Sequence, residues 1–361
     1  MDALMLPSNW QRVRLGDICE IVKGQQINKI SLNNTDKYPV INGGIDFLGY
    51  TNKFNVSKNT IAISEGGTCG YVRFMTSNFW SGGHNYSLQK ISNKVNNLCL
   101  YHILKSYEKD IMKLGVGSGL KNIQLKALKD FEIPLPPLHE QIAIANILSD
   151  LDRYLYSLDA LILKKESVKK ALSFELLSQR KRLKGFNQAW QRVRLGDICE
   201  ITTGSLDANE MVHYGKYRFY TCAKEYYFID KYAFDTEAIL ISGNGAYVGY
   251  VHYYKGKFNA YQRTYVLDNF SEHIIFVKYF LTMFLQSHIQ TNRNEGNTPY
   301  IVMATLKDFE ILLPPLNEQI AIANILSALD NEIISLKNKK RQFENIKKAL
   351  NHDLMSAKIR V

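Results

Sequence analysis

Two patterns of apolar residues alternate along the chain. Short runs rich in Val, Ile, Phe and Tyr, bounded by Gly, Asn and Ser, predict β-strands. These runs lie at 38–41, 60–64, 71–75 and 86–90 in the first half, and at 217–220, 238–242, 247–254 and 264–267 in the second. Gly-rich turns at 42–44, 65–67 and 243–245 and helical spacing over 98–114 and 272–290 complete the two halves. The pattern predicts an α+β fold with a mixed or antiparallel sheet in each half.

The other pattern places apolar residues alternately three and four positions apart and predicts two long helices. The first seam consists of Ile144, Leu148, Leu151, Leu155, Leu158 and Ile162, and the second of Ile322, Leu326, Leu329, Ile333 and Leu336. Gly185 suits the position after a helix that ends at Lys184, and the second helix is expected to reach the chain end. Each helix would then have about 45 residues and a length of roughly 65 Å.

A lone helix of this length would expose its apolar seam to water, so the two seams most simply bury each other. If the helices are antiparallel, the two globular segments lie at opposite ends and the molecule has a pseudo-twofold axis. If they are parallel, both segments crowd one end. The sequence pattern leaves both arrangements open.

The chain is an internal repeat. WQRVRLGDICEI occurs at 10–21 and again at 190–201, and LPPLHEQIAIANILSDLD at 135–152 returns with two differences at 313–330. Between these matching flanks, segments 22–127 and 202–305 share only a faint skeleton. Each half therefore holds a variable segment inside a nearly invariant frame. The variable segments differ as two specificity surfaces would, and the frames match as expected if both meet the same kind of partner.

The frame resembles the specificity subunit of type I restriction–modification systems. The resemblance rests on LPPLxEQIAIANILSxLD in both halves, on WQRVRLGDICEI, and on the Gly-rich patch Gly115-Val116-Gly117-Ser118-Gly119. It implies two tandem α/β target recognition domains separated by two long helices that form an antiparallel coiled coil. The implied boundaries are 1–137 and 185–315 for the domains, and 138–184 and 316–361 for the spacer helices. The second half departs from the pattern, because Asn294-Glu295-Gly296-Asn297 replaces the Gly-rich patch.

The resemblance also implies function and partners. Each recognition domain would read one half of a bipartite site in double-stranded DNA, and the helices would fix the unread spacer. Two methyltransferase subunits, which carry the S-adenosylmethionine and the adenine chemistry, would dock on the chain, and restriction subunits would complete the nuclease. The chain itself would be a non-catalytic subunit.

The residues agree that the chain lacks catalytic chemistry of its own. Pro-Pro occurs only in LPPL and never in the (N/D)PP(Y/F) motif that holds a flipped adenine. There is no GxxxxGK(S/T), and the eight His residues form no HxxxH or HExxH. We expect no cofactor and no metal, and Gly115-Val116-Gly117 is a flexible turn or, alternatively, a phosphate loop. Five cysteines without CxxC, no apolar membrane span and no signal peptide predict a cytoplasmic protein with reduced thiols.

DNA reading requires polar side chains for base edges and Lys or Arg for phosphates. Loop residues of these types occur at matching places in both halves. The candidate DNA-binding residues of the first half are Gln25, Gln26, Lys29, His84, Asn85, Lys121, Asn122 and Gln124. Those of the second half are Tyr220, Thr221, Lys224, Gln262, Arg263, Asn292, Arg293 and Asn297.

Polar identity within the frames suggests a second kind of site. Glu140 and Gln141 are matched by Glu318 and Gln319 at the start of each long helix. These four residues either stabilise the first helical turn or dock the methyltransferase.

The net charge of +11 is unevenly distributed. Segment 22–127 carries 13 Lys and Arg against 5 Asp and Glu, whereas segment 202–305 carries 9 of each. The excess therefore lies on the first reading segment and the long helices, which predicts a subunit that reads DNA well only inside a complex. Two alternatives remain open: a non-DNA scaffold of two β-rich binding modules on a coiled-coil spacer, and the specificity subunit of a related system that cuts on both sides of its site.

Overall fold

The computed structural model describes residues 7–292 and 299–361. It divides into two compact units. Unit 1 comprises Met1–Ala160 and Asn338–Val361, and unit 2 comprises Leu161–Lys337. Each unit therefore contains one variable segment together with parts of both long helices.

Unit 1 contains eleven strands among its described residues. They are β1 (Gln11–Arg14), β2 (Glu20–Lys23), β3 (Tyr38–Ile41), β4 (Gly49–Thr51), β5 (Thr60–Ser64), β6 (Val72–Met75), β7 (Trp80–Ser81), β8 (Asn85–Gln89), β9 (Gly115–Val116), β10 (Asn122–Ile123) and β11 (Glu132–Leu135). The helices are α1 (Leu15–Ile18), α2 (Asn97–Ser106), α3 (Glu108–Lys113), α4 (Leu125–Lys129) and the first part of α5 (Leu138–Leu177). The main sheet has the order β2-β8-β5-β6 and is antiparallel, and a second sheet, β4-β3-β7, includes a parallel pair.

Unit 2 has one six-stranded mixed sheet and a separate two-stranded sheet. Its strands are β12 (Gln191–Arg194), β13 (Glu200–Thr203), β14 (Tyr217–Tyr220), β15 (Tyr227–Ile229), β16 (Phe234–Ser242), β17 (Val251–Ala260), β18 (Thr264–Asp268) and β19 (Glu310–Leu313). Its helices are α6 (Ile274–Asn292), α7 (Met303–Lys307) and the first part of α8 (Leu316–Met355). The six-stranded order is β13-β18-β16-β17-β14-β15, in which only β14 and β17 are parallel.

The predicted α+β class with mixed sheets is confirmed, while several element boundaries differ. The predicted strand at 247–254 begins four residues later, at Val251, and the predicted helix at 98–114 is divided between α2 and α3. Tyr107 separates these helices with a ψ of 9°. The interruption lets the Glu108 carboxylate accept the backbone N–H of Val72 at 2.8 Å, which ties the helix to the sheet.

Both long helices have 40 residues, which corresponds to about 60 Å. α5 ends at Leu177 rather than at the predicted Lys184, because Gln179 takes the left-handed conformation with a φ of 63°. α8 ends at Met355 rather than at the chain end, and Ala357 has a φ of 55°. In both helices a non-glycine residue in the left-handed conformation ends the series of helical hydrogen bonds. The sequence alone does not predict this conformation for a non-glycine residue.

The helices are antiparallel within each unit. In unit 1, Asp152 of α5 contacts Lys347 of α8, and Asp159 lies 2.7 Å from Lys340. The partner number falls as the α5 number rises, which is the signature of opposite directions.

Unit 2 shows the same trend in its own part of the two helices. Lys165 lies 2.8 Å from Glu332, and Lys169 contacts Asp330. The antiparallel arrangement of α5 and α8 is therefore confirmed in both units.

Each unit has its own core. In unit 1, β5 and α2 bury Ile61, Ile63 and Leu100 together with Leu148 of α5 and Leu354 of α8. In unit 2, the sheet and α6 bury Ile239, Phe276 and Leu281 together with Leu177 and Leu326. Among the described residues, no helix is long and apolar enough to cross a membrane.

Candidate nucleic-acid interface

Five loops of unit 1 meet where β2, β3 and β5 end and β8 begins. Backbone hydrogen bonds join them across large distances in sequence. The N–H of Gly24 donates to Asn85 O at 2.8 Å, and the N–H of Glu65 donates to His84 O at 3.0 Å. The N–H of Ile123 donates to Glu65 O at 2.9 Å. We call the assembled residues 24–26, 42–44, 65–67, 81–85 and 115–124 loop edge 1.

Unit 2 has the same arrangement, which we call loop edge 2 and define by residues 204–206, 220–224, 242–245 and 261–264 with 299–301. The N–H of Gly204 donates to Thr264 O at 3.2 Å, and that of Gly243 donates to Arg263 O at 2.8 Å. The N–H of Ile301 donates to Gly243 O at 2.9 Å. His84 and Arg263 therefore occupy equivalent places, as do Glu65 and Gly243.

A tyrosine supports each edge from below. The hydroxyl of Tyr86 in β8 donates to Ile123 O at 3.0 Å, and that of Tyr265 in β18 donates to Ile301 O at 2.9 Å. The repeated backbone arrangement thus presents different side chains: His84 and Glu65 in unit 1, Arg263 and no side chain at Gly243 in unit 2.

Close backbone approach requires glycine at the first loop of each edge. A Cβ on Gly24 would lie 2.1 Å from Gly82 O, and a Cβ on Gly204 would lie 1.9 Å from Ala260 O. Both distances are far inside van der Waals contact, so a side chain at either place would separate the loops.

Most candidate residues of unit 1 lie exposed on or beside loop edge 1. They are Gln25, Gln26, Lys29, His84, Lys121, Asn122 and Gln124. Asn85 differs, because its side chain is 2% exposed and donates to Ser81 Oγ and to Tyr86 O, each at 3.0 Å. This internal role corrects the expectation that Asn85 presents its amide to DNA.

The candidates of unit 2 divide in the same way. Lys224, Gln262 and Arg263 are exposed. Tyr220 and Thr221 are only 2% and 7% exposed, so they support the edge rather than offer polar atoms to a base, which corrects their assignment as readers. Asn292 ends α6, and its side chain lies outside the described structure, as do Arg293 and Asn297.

Sequence reasoning missed an arginine beside loop edge 2. The guanidinium of Arg218 lies 4.3 Å from the ring centroid of Tyr226 and 4.4 Å from that of Tyr254. One nitrogen lies 3.4 Å from the hydroxyl of Tyr220. The stack fixes a cation in a segment without net charge. The sequence signal is a single Arg among the three aromatic residues of β14, which does not distinguish this stack from ordinary strand packing.

It also missed a buried acidic residue in loop edge 1. Glu65 is 8% exposed, and its Oε1 accepts hydrogen bonds from Lys23 Nζ at 2.7 Å and Tyr86 Oη at 3.2 Å. Burial, together with this carboxylate, raises the pKa of Tyr86 to about 12. The sequence showed only an acidic residue before two glycines, which is typical of a turn.

The four frame residues proposed for docking are buried. Glu140 accepts hydrogen bonds from Trp10 Nε1 at 2.9 Å and Asn9 Nδ2 at 2.6 Å. Glu318 accepts from Trp190 Nε1 at 3.2 Å and Arg182 Nε at 3.1 Å.

Gln141 and Gln319 hold the start of an earlier helix in their unit, α2 and α6 respectively. Their Oε1 atoms accept the backbone N–H of Asn96 at 2.7 Å and of His273 at 3.0 Å. These contacts explain the polar identity of the frames by a structural role, and docking by these four residues stays a prediction.

No group of three or more His, Cys, Asp or Glu that could hold a metal occurs among the described residues. Gly115 and Val116 form β9 and pair with β10, which is not the strand–helix geometry of a phosphate loop. Burial raises the pKa of the Cys19 and Cys99 thiols to about 12.

Comparison with known proteins identifies the repeated frame. The sequence model of a family described as "Type I restriction modification DNA specificity domain" matches residues 7–165 and again residues 187–345. The chain belongs to this family. The first match spans loop edge 1 and most of α5, and the second spans the described part of loop edge 2 and most of α8.

Relatives of this type I specificity family align along most of the chain. A putative type I specificity subunit of Mycoplasma genitalium is 28% identical over 319 residues, which cover 84% of this chain and 82% of the relative. The type I restriction enzyme MjaVIII specificity subunit of Methanocaldococcus jannaschii is 26% identical over 413 residues, covering 100% and 95%. The crystal structure of a type I system S subunit from M. genitalium superposes with a TM-score of 0.74 at 25% identity, covering 97% of each chain.

Proposed function

We propose that the chain gives a type I methyltransferase and nuclease complex its DNA sequence specificity, and that each unit reads one half of a bipartite target. Loop edge 1 and loop edge 2 are the reading surfaces. The observation that carries this proposal is the repeated backbone arrangement with different exposed side chains. A shared scaffold with different polar groups is what two readers of different sequences require.

The exposed side chains suit DNA. Arg263 is long enough to donate two hydrogen bonds to guanine O6 and N7, and Gln25, Gln26 and Gln262 match the acceptor and donor of adenine. Lys29, Lys121 and Lys224 suit phosphate contacts, which position the protein without reading sequence. Asn292, Arg293 and Asn297 stay candidates on sequence grounds alone.

The long helices have the proposed roles of spacer and docking platform. Their 40 residues would set the number of unread base pairs, and their basic surfaces would meet spacer DNA or acidic methyltransferase surfaces. Two methyltransferase subunits would dock on the near-identical frames, because a repeated surface binds a repeated partner. Restriction subunits would join that complex, and the chain itself would perform no reaction.

The decisive experiment exchanges one variable segment. The chain is combined with its methyltransferase subunits, and the methylated adenines are mapped by sequencing. Replacing 22–127 by a second copy of 202–305 should produce a site that contains the unit 2 half twice. If the exchange alters the half that unit 2 reads, the assignment of one half to each unit is wrong.

A binding experiment separates this function from a protein scaffold. The complex should elute from DNA at a salt concentration that falls when Arg263 and Lys224 are replaced by Ala, since each lost phosphate or base contact weakens binding. Calorimetry of the isolated chain should detect neither S-adenosylmethionine nor ATP binding. Salt-independent elution would favour the scaffold, and nucleotide binding would favour an enzyme.

A further inference from the structure

Glu65 is an unusual feature of loop edge 1. Its Oε1 is held by Lys23 and Tyr86, but its Oε2 is buried and has no hydrogen-bond partner among residues 7–292 and 299–361. A buried carboxylate oxygen without a donor is costly, so such an atom indicates a partner that arrives later.

The nearest candidate donor is His84. Its Nδ1 lies 3.9 Å from Glu65 Oε2, about an ångström beyond a hydrogen bond. The backbone of His84 is fixed, because its N–H donates to Asn42 Oδ1 at 3.0 Å and its carbonyl accepts from Glu65 at 3.0 Å. Its side chain is 54% exposed, so the ring can turn while its backbone stays in place.

Comparison of the two edges explains the pairing. The backbone hydrogen bond from Glu65 to His84 in unit 1 corresponds to the bond from Gly243 to Arg263 in unit 2. Where the reader is Arg, which is always a cation, the residue equivalent to Glu65 is Gly243, which has no side chain. Where the reader is His, which is a cation only when protonated, a buried carboxylate does lie beneath it.

We propose that Glu65 is a positioning residue for DNA recognition by His84. On DNA binding, Oε2 accepts a hydrogen bond from Nδ1–H of a protonated His84, and Nε2–H donates to the N7 or O6 of a guanine in the unit 1 half-site. The proton comes from a solvent hydronium ion, which loses an O–H bond as the imidazole gains an N–H bond, and the remaining new contacts are hydrogen bonds. The Glu65–His84 pair thus presents a cationic donor to a base, as Arg263 does in unit 2. This inference rests on the proposed function and adds a residue-level assignment to it.

Four other ionisable groups surround the pair, and the range that matters for binding is near neutral pH. Lys23 from the end of β2 and Tyr86 from β8 contact Glu65, and Cys69 interacts with both Glu65 and Lys121. Lysines remain protonated in this range. Burial raises the pKa of the Tyr86 hydroxyl and of the Cys69 thiol, so both remain neutral.

The test copies the unit 2 pair into unit 1. Complexes with the methyltransferase subunits are prepared for the unchanged chain, Glu65→Gly, His84→Ala, and the double variant Glu65→Gly with His84→Arg. Binding is measured on the mapped site and on sites with each base pair of the unit 1 half replaced. Glu65→Gly and His84→Ala should each lose roughly tenfold discrimination at one and the same G·C pair. The double variant should restore it.

A pH series supplies an independent readout. The affinity of the unchanged complex for its DNA site should fall as pH rises from 6 to 8. The affinity of the double variant should not show this fall. Thermal unfolding of each complex controls for a loop that has merely lost its brace, since a purely structural loss would lower stability and would not be rescued by Arg at position 84.

Several results would overturn the proposal. They are unchanged discrimination in Glu65→Gly, no rescue by the double variant, or a uniform loss at all base pairs, which would place His84 on a phosphate. If the unchanged complex bound no bipartite site, the proposed function itself would fail. If the complex binds its bipartite site but Glu65→Gly leaves discrimination unchanged, the role of Glu65 is wrong and the proposed function still stands.

Discussion

Lys169 of α5 forms an ion pair with Asp330 of α8 in unit 2. The other carboxylate oxygen of Asp330 accepts the hydroxyl of Tyr279 at 2.6 Å. In unit 1 the same pair recurs with the helices exchanged, because Lys347 of α8 contacts Asp152 of α5. The internal repeat therefore supplies both members of each pair, and the antiparallel direction brings each Asp to the Lys of the other copy.

Replacing Asp330 by Asn should destabilise unit 2 by about 1–2 kcal/mol, because Lys169 and Tyr279 lose a charged acceptor. Burial raises the pKa of Asp330, but the hydrogen bonds from Lys169 and Tyr279 outweigh it and hold the pKa below its ordinary value. The contribution is thus present at neutral pH and is lost as pH falls below about 4. Urea unfolding at pH 7 and at pH 3 measures both effects.

Asp150→Ala is the matched control for Asp330→Asn, since Ala328 stands at the equivalent position of the second repeat. Asp150 is exposed and, within residues 7–292 and 299–361, its ion pair is with Arg153 in the same helix turn. Its replacement should change the unfolding free energy by less than about 0.5 kcal/mol. Equal effects of the two variants would contradict a special role for the interhelical pair.

His102 should make the stability of unit 1 depend on pH. Burial lowers the pKa of His102 to about 4, even though Asp152 opposes the shift. Between pH 4 and the ordinary value of 6.5 the unfolded chain binds more protons than the folded one. Stability should therefore rise with pH across this window and fall on acidification, by up to about 1.4 kcal/mol per pH unit.

The control for His102 comes from unit 2. The backbone N–H groups of Asn96 and His273 each donate to a frame glutamine, so these two residues are equivalent. His102 and Tyr279 each lie six residues further along the chain, so unit 2 has Tyr where unit 1 has His. His102→Tyr should keep the fold and remove the pH dependence between 4 and 6.5. Thermal unfolding of both chains over this range decides, and an unchanged pH profile in the variant would refute the assignment.

Gly204→Ala should open loop edge 2, because the added Cβ would lie 1.9 Å from Ala260 O. We expect a loss of more than about 2 kcal/mol in stability and loss of recognition of the unit 2 half-site, with the other half still read. Gly119→Ala is the control, since a Cβ there meets nothing within 4 Å. The measurement is the methylated sequence together with the unfolding midpoint.

Glu318→Ala should destabilise unit 2 by about 3 kcal/mol, because the fully buried carboxylate accepts hydrogen bonds from Trp190 and Arg182. Glu318→Gln retains an acceptor and should cost less. If Glu318→Ala instead left stability unchanged but abolished methyltransferase binding in a pull-down, the docking alternative for this residue would hold.

Features of the fold that depend on neighbouring residues were predictable from the sequence, and features that depend on residues far apart in the chain were not. The strands at 38–41, 60–64 and 217–220 were predicted with the bounds that the structure shows, because alternation and flanking turns are local signals. The end of α5 was not, because its stop at Gln179 uses a left-handed non-glycine residue. The exposed candidate residues were chosen by residue type, whereas the burial of Asn85 and Tyr220 depends on strands that pair across tens of residues.

The sequence by itself determined the duplication, the two apolar seams, the α+β class and the family, since each is a pattern of residue types along the chain. Only the tertiary structure decided which loops meet, which polar side chains are buried, and that Glu65 lies beneath His84. Those facts depend on strand order, which brings β2, β5 and β8 side by side although long segments separate them in the chain. The same order places Glu65 beside His84 in unit 1 and Gly243 beside Arg263 in unit 2, because the loops that carry them leave neighbouring strands.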